Sequence, residues 1–395
     1  MDETSSSVYS QKYCGNALTK KIEFYRHSLD ESDKKQILQV LDSIFLTTGD
    51  IVSTFEKKLS DYTKNKFSVG LMSCTHGLDL SLRYFNIGQG DEVITTPMSF
   101  IATANVIEHV GAKPVFVDVE RKTGNIDATQ IEKAITKKTK AIMPVHLYGQ
   151  MCDIITIKKI ADKYNLKIIE DAAHCLEGQR DGFYVGQLSD AACYSFYATK
   201  NLTCGEGGAI TTNNEAMYNW LCQARLHGMT KDAASRYTEK YRHYDVKFAG
   251  FKANMSNLSA ALLINQINRL DELLERRNNI ARMYDSALRE LEAIKFPQVL
   301  KNSRHGRHLY TIWIEPEMRD KIINYLQEQR VGVAVNFRPI HLMSYYKEKY
   351  GFEEGDFPLT EEIGSSTISL PFYPRLKEEE IEHVVETLKE SVKNK

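Results

Sequence analysis

The sequence predicts an α/β protein, with a large domain built on a mostly parallel sheet and a smaller α+β domain behind it. Three features carry that expectation. Short β-rich runs alternate with helical stretches up to about residue 212, the rhythm of βαβ units whose strands are covered on both faces. A long helical pattern then begins near Leu258. Beyond it the alternation stops and gives way to a few separate strand and helix patterns.

Taken in order, residues 1–30 form a polar N-terminal arm with no apolar stretch of the kind a secretion signal carries. "DESDKKQILQVLDSIF" follows with an acidic start and helical apolar spacing, and Asp30 or Ser32 is placed to cap it. Residues 31–257 then hold seven strand patterns: "FSVGLM", "DEVITTPM", "KPVFVDV", "KAIMPVH", "KIIEDAA", "AACYSFY" and "GGAITT". The connector puts Leu263, Ile267, Leu270 and Leu274 on one stripe and the charges of "DELLERR" on the other. Within residues 258–395, "HLYTIWIEP", "KIINYLQEQ", "VGVAVNF" and "EEEIEHVVETLKESV" supply the smaller domain. No internal repeat or low-complexity tract interrupts the chain.

Composition narrows the function classes. At 395 residues, 42% hydrophobic and 26% charged, the chain has ordinary globular material and enough of it for a sizeable core. Its 51 basic and 52 acidic side chains nearly cancel, so no global field favours nucleic acid or an anionic membrane surface. An anionic ligand must therefore be held by local donors. The seven cysteines are scattered, odd in number and without CxxC spacing, which suits free thiols in a reducing cytoplasm rather than disulfides or a zinc site. No metal centre, nucleic-acid partner or membrane span is expected.

Ligands of open α/β sheets bind at the carboxyl ends of the strands, so the residues that follow each strand are the candidates. After the first come Ser73, Cys74, Thr75, His76 and Gly77, opening a helix whose free N–H groups can hold a phosphate; a plain helix cap is the other reading. Past the second strand and a proline turn, Phe100 can cover a flat ligand or fill a core. "KIIEDAAHC" delivers Glu170, Asp171 and His174 to the same crevice. Two adjacent acids suggest a glycosidase or a metal site, but no second acid pair or histidine cluster accompanies them.

The next strand leads into "SFYATKNLTCGEGGAI", which sets Lys200 between an aromatic strand end and a glycine-rich turn. Burial there would lower the lysine's pKa and make it a nucleophilic amine; an ion pair with Glu206 is the alternative. A nucleophilic lysine, an acid at the neighbouring strand end, a phosphate-type turn and an aromatic cover together describe a pyridoxal phosphate pocket.

With these residues placed, "IIEDAAH", "SFYATKNLTCGEGGAI", "GFKANMSNLSAAL" and "SLPFYP" resemble, in order, the DegT/DnrJ/EryC1/StrS family of nucleotide-sugar aminotransferases. The resemblance spans nearly the whole chain. It implies a fold-type-I aminotransferase using pyridoxal phosphate, with pyridoxamine phosphate as its alternate form, and a homodimer with shared active sites. Lys200 matches the lysine that bonds the cofactor and moves the proton, and Asp171 matches the acid that pairs with the pyridine nitrogen. His174 falls beside the ring hydroxyl, Phe100 on the ring face, and Ser195 with Cys74 and Thr75 at the phosphate. Asn254 matches an asparagine that reaches the phosphate from the partner subunit.

For the sugar substrate the resemblance nominates His341 and Arg338 in "VNFRPIHL", and Lys252 as a contact to a nucleotide diphosphate. Solvated surface roles fit Lys252 and Arg338 equally. "RLHG", with Arg225 and His227, also resembles a family segment. His76 and Glu177 depart from the family, which commonly has small residues there, and so blur the inferred shape of the sugar pocket. The resemblance implies transfer of an amino group from L-glutamate to a nucleotide-linked keto-sugar, with a lean toward C4. Because Lys200 is present, a sugar dehydratase on the same fold is disfavoured: such relatives carry histidine there. A binding protein that kept the fold and lost the chemistry is the rival from another class.

Overall fold

The computed structural model describes residues 20–230 and 243–393. All seven strand patterns of the first half become strands of one sheet: β1 (Phe67–Leu71), β2 (Glu92–Thr95), β3 (Lys113–Phe116), β4 (Thr139–Ile142), β5 (Lys167–Asp171), β6 (Ala191–Ser195) and β7 (Gly208–Thr212). Their order is β1-β7-β6-β5-β4-β2-β3. β7 runs antiparallel to both neighbours, and every other pairing is parallel. The carboxyl ends of the other six strands therefore share one edge.

Helices cover both faces, as continuous apolar strands require. On one side α1 (Glu31–Leu41) and α2 (Asp50–Thr63) pack near the sheet's β1 end, while α3 (Cys74–Tyr84) and α4 (Ala102–His109) join the opposite core. Asp30 is the cap of α1: its carboxylate accepts from the backbone of Ser32 and Asp33, and Asp33 reciprocates. α5 (Ile154–Tyr164) and α6 (Glu215–Ala224) complete the layers, capped by Asp153 and Asn214.

The connector is two helices, α7 (Asn257–Asn268) and α8 (Leu270–Leu288), interrupted at Arg269. Arg269 bends out to pair with the fully buried Asp33 and to donate to Ser28 O at 3.2 Å, which ties α1 to the interruption. The stripe holds through it: Leu263, Ile267, Leu270 and Leu274 are all buried. α7 and the start of α8 belong to the core beneath the sheet, whereas Ile280, Ala281, Tyr284 and Leu288 belong to a second core.

That second core packs α8 against β8 (Tyr310–Trp313), β9 (Thr367–Leu370), α9 (Pro316–Glu328) and α10 (Glu378–Lys393). β8 and β9 are antiparallel. "VGVAVNF" forms no continuous strand; its ladder contacts are single bridges at Val331 and Ala334. Ile22, from the arm, bridges Val331 and is buried in the same second core. No helix among the described residues is long and apolar enough to cross a membrane.

Candidate active site

At the shared strand edge lies a cavity of about 620 Å³. Its wall contains Ser73, Cys74, Thr75, Phe100, Thr103, Asp171, His174, Ser195 and Lys200 from the large domain. His308, Leu309 and Phe337 close it from the chain beyond α8. Seven residues expected at the cofactor, all but Asn254, thus meet around one space.

β5 explains why only one of its two acids belongs here. Successive side chains of a strand point to opposite faces, so Asp171 enters the cavity and Glu170 leaves it. Glu170 accepts from Gly186 N at 2.9 Å and pairs with His146 in a fully buried contact. His146 Nδ1 accepts from Cys152 N at 3.1 Å, which puts the ring proton on Nε2, toward Glu170. The adjacent acids are therefore one structural pair and one site residue. Among the described residues no cluster of metal-ligating side chains occurs.

Asp171 is held by two short donors, with the Cys74 thiol a longer third. Thr103 Oγ1 reaches Oδ2 at 2.7 Å, and Ala173 N reaches Oδ1 at 3.2 Å. Behind Thr103 stands Ser99, at 2.7 Å between hydroxyl oxygens. A buried carboxylate fixed in this way can present a negative edge to a protonated ring nitrogen.

Lys200 sits in a turn that several bonds define. Lys200 N donates to Tyr197 O at 2.9 Å, Phe196 N to Gly207 O at 2.8 Å and Cys204 N to Phe196 O at 3.0 Å. Gln266 of α7 clamps the turn, giving Nε2 to Thr203 O at 2.7 Å and taking Thr203 N at 3.3 Å. Among the described residues no carboxylate lies within ion-pair distance of Nζ, and Glu206 is exposed on the cavity rim. The ion-pair alternative has no geometry behind it. Desolvation instead lowers the amine's pKa from 10.5 to about 8, partly opposed by the charge of Asp171.

Ser73 caps α3, accepting from His76 N at 3.2 Å, with His76 Nδ1 2.9 Å from the same hydroxyl. The cap reading is correct, and it coexists with the anion-site reading, because the first N–H groups of the helix have no intrahelical acceptor and face the cavity. β7 passes very close: a Cβ at Gly208 would lie 2.2 Å from Ser73 C and 2.3 Å from Cys74 N. Glycine is thus required for this turn and Lys200's turn to meet. Cys74 Sγ lies 3.9 Å from Asp171 Oδ1, and burial pushes its thiol well above the ordinary range.

Phe100 is 59% exposed while lining the cavity, so it has no core to fill, and its ring lies 6.2 Å from that of Phe337. His174 stacks on Phe337 with rings 5.7 Å apart. Its buried Nδ1 has no protein partner. Burial, reinforced by Lys200, keeps the ring neutral.

The remaining expected residues lie elsewhere on this chain. Asn254 donates to Thr48 Oγ1 at 2.6 Å and leaves its buried Oδ1 unpartnered, outside the cavity wall. Lys252 and Arg338 are exposed; Arg338 follows the wall residue Phe337. His341 is fully buried, bonded through Nε2 to Glu361 at 2.9 Å and edge-on to Phe357, so within this subunit it does not face the cavity. Arg225 is structural, bonding Gly70 O at 2.9 Å and pairing with Glu56. Glu177 is buried behind Lys200, accepting from Asn201 Nδ2 at 2.9 Å.

Thr103, His308, Phe24 and Phe337 line the cavity without having been singled out in the sequence. Thr103 is the most accessible of these omissions, since it lies one helical turn after Phe100.

The site fits pyridoxal phosphate on structural grounds. An amine with no carboxylate partner, a fixed carboxylate, a helix N-terminus, an unpacked aromatic ring and an unpartnered buried imidazole nitrogen converge on one cavity.

Comparison with known proteins agrees. The model of the DegT/DnrJ/EryC1/StrS aminotransferase family matches residues 27–389. The spore coat polysaccharide biosynthesis protein SpsC of Bacillus subtilis is 38% identical over 95% of this chain and 98% of its own. Among solved structures, the putative sugar aminotransferase Spr1654 of Streptococcus pneumoniae in its PMP form has a TM-score of 0.89 and 32% identity, covering 94% of this chain and 99% of that one. DesV of S. venezuelae, in complex with a ketimine intermediate, has a TM-score of 0.83 and 31% identity over 91% and 93%.

Proposed function

The chain belongs to the DegT/DnrJ/EryC1/StrS aminotransferase family and is a pyridoxal phosphate-dependent sugar aminotransferase, and from that premise we propose that it moves the amino group of L-glutamate to a nucleotide-linked keto-sugar, at C4. The observation that carries the reading is the arrangement of Lys200, desolvated and without a carboxylate partner, opposite the fixed Asp171. A binding protein with lost chemistry has no need of such an amine.

When bound, pyridoxal phosphate supplies an aldehyde carbon to carry the amino group and a ring to accept electrons. The chain's own residues do the rest. Asp171 would hold a proton at the ring nitrogen, and Ser195 with the first turn of α3 would hold the phosphate. Phe100 would cover one ring face. Lys200, partly neutral near pH 7, is the base that takes a proton at the reacting carbon and the acid that returns it. His174 would meet the ring hydroxyl with its open nitrogen.

Several observations support a sugar acceptor. SpsC is named for polysaccharide biosynthesis. Among the described residues the cavity wall carries no arginine, so they supply no built carboxylate clamp of the kind an amino-acid-only transaminase needs. Cations for the diphosphate would come from Arg338, next to the wall residue Phe337, and from Lys252 of a second copy in a homodimer, whose Asn254 would reach the cofactor phosphate. His341 would act through the aromatic cluster it braces. The described cysteines are free thiols, which suits a reducing cytoplasm.

The test is the visible spectrum of the protein loaded with pyridoxal phosphate, before and after L-glutamate, with 2-oxoglutarate assayed in the same tube. Loss of the bound-cofactor band with stoichiometric 2-oxoglutarate is expected. A stable band without keto acid would refute glutamate as donor. Keto-sugar nucleotides then restore the band in the second half-reaction, and a 3-keto preference would overturn the C4 assignment.

A further inference from the structure

We infer that His308 is the positioning residue for the reacting lysine: its imidazole takes one N–H of Lys200 and leaves the amine's lone pair aimed into the cavity. The inference rests on Lys200 as the reacting amine. His308 Nε2 lies 3.3 Å from Lys200 Nζ, and both residues line the cavity.

The contact is built from long-range structure. His308 N donates to Tyr148 O at 3.1 Å and Gly306 N to Gly149 O at 2.8 Å, so this segment is fastened to the large domain. Gly149 has φ +104°, and a Cβ there would lie 2.8 Å from Arg307 N. Only glycine lets the two backbones approach this closely. The imidazole also rests against His174, with ring centroids 4.3 Å apart.

The chemical type of the partner matters. Asp171 and Cys74 face Lys200 from the ends of β5 and α3, His174 and His308 face it from the side, and Glu206 stands on the rim. Arg277 in turn faces His308. Desolvation first, then Lys200, His174 and Arg277, keeps His308 neutral, so its Nε2 can accept. A carboxylate in the same place would clamp the proton and suppress the nucleophile; a neutral acceptor orients it without doing so. His308 Nδ1 is buried with no protein partner, so no second bond fixes the tautomer.

The test uses cofactor-free protein, reacted with acetic anhydride across a pH series, with acetylation of Lys200 followed by mass spectrometry. Three variants separate orientation from charge. His308→Gln keeps an acceptor, and its curve should stay within roughly half a unit of the native midpoint. His308→Glu should move the midpoint up by about one unit or more. His308→Leu should move it down, and in the loaded enzyme should lower kcat about 10- to 100-fold with KM unchanged. His308→Gln should recover most of that rate. The inference fails if His308→Leu matches the native protein in both curve and kcat, or if Gln and Leu lose activity equally while cofactor binding weakens. The acetylation series contains no amino donor, so an error in the glutamate assignment cannot imitate either result.

Discussion

Lys200 is a destabilising residue in the cofactor-free protein. Its pKa falls from 10.5 to about 8 on folding because burial penalises the ammonium form. The penalty is fully present below pH 8 and disappears as pH rises toward 10.5, so folding stability gains with pH across that window. Lys200→Met should abolish turnover yet raise the apoprotein's stability near neutral pH by up to about 3 kcal/mol, at about 1.4 kcal/mol per unit. Denaturant melts at pH 7 and pH 10.5 check this: the difference should shrink at the higher pH. The same shift makes roughly a tenth of the amine neutral at pH 7, against about one part in 3,000 for an unperturbed lysine. Thr103 acts on the opposite wall. Thr103→Val removes the hydroxyl on Asp171 Oδ2 and should slow both half-reactions by tenfold or more while pyridoxal phosphate still binds; unchanged rates would show that Ala173 N suffices.

At the scale of elements, the turn opening α3 depends on β7. Gly208→Ala would drive a methyl into Ser73 and Cys74, and cofactor affinity should fall at least tenfold by equilibrium dialysis, with the fold retained by circular dichroism. Ser73→Ala should cost about 1 kcal/mol of stability through the lost cap. These elements were legible in the sequence for a physical reason. All seven strands are short apolar runs bounded by turn residues, and their carboxyl ends carry Asp171, Ser195 and the turn before Lys200. The broken connector was not legible, because the interruption at Arg269 is caused by Asp33, 236 residues away. His308 escaped for the same reason: it opens an ordinary strand pattern, and 108 residues separate it from the lysine it meets. His341 shows the converse, a local pattern that suggests a ligand contact while the fold buries the ring against Glu361.

Across the whole molecule, α8 spans both cores and brings Arg277 within electrostatic reach of Glu177, which accepts from Asn201 next to Lys200. Burial raises the Glu177 carboxyl and lowers the Arg277 guanidinium to about 10, and each charge partly offsets the other. Arg277→Leu should therefore change the stability by a different amount, by about 1 kcal/mol or more, in a Glu177→Gln background than in the native one, as read in a double-mutant cycle. Strictly additive losses would mean the two charges do not communicate. The fastening of residues 306–309 to Tyr148 and Gly149 has a consequence of a different kind. An enzyme that serves two unlike substrates in alternation must keep one part of its pocket constant and let another part vary. Here the constant part reaches across the domain boundary to include His308 and, through the Tyr148 hydroxyl on Asn336 O, the backbone before Phe337, while the exposed Arg338 side chain lies outside those bonds. On the proposed reading of that rim as the sugar's contact, exposed rim sequences can be exchanged while the chemistry shared by both turnovers is inherited intact.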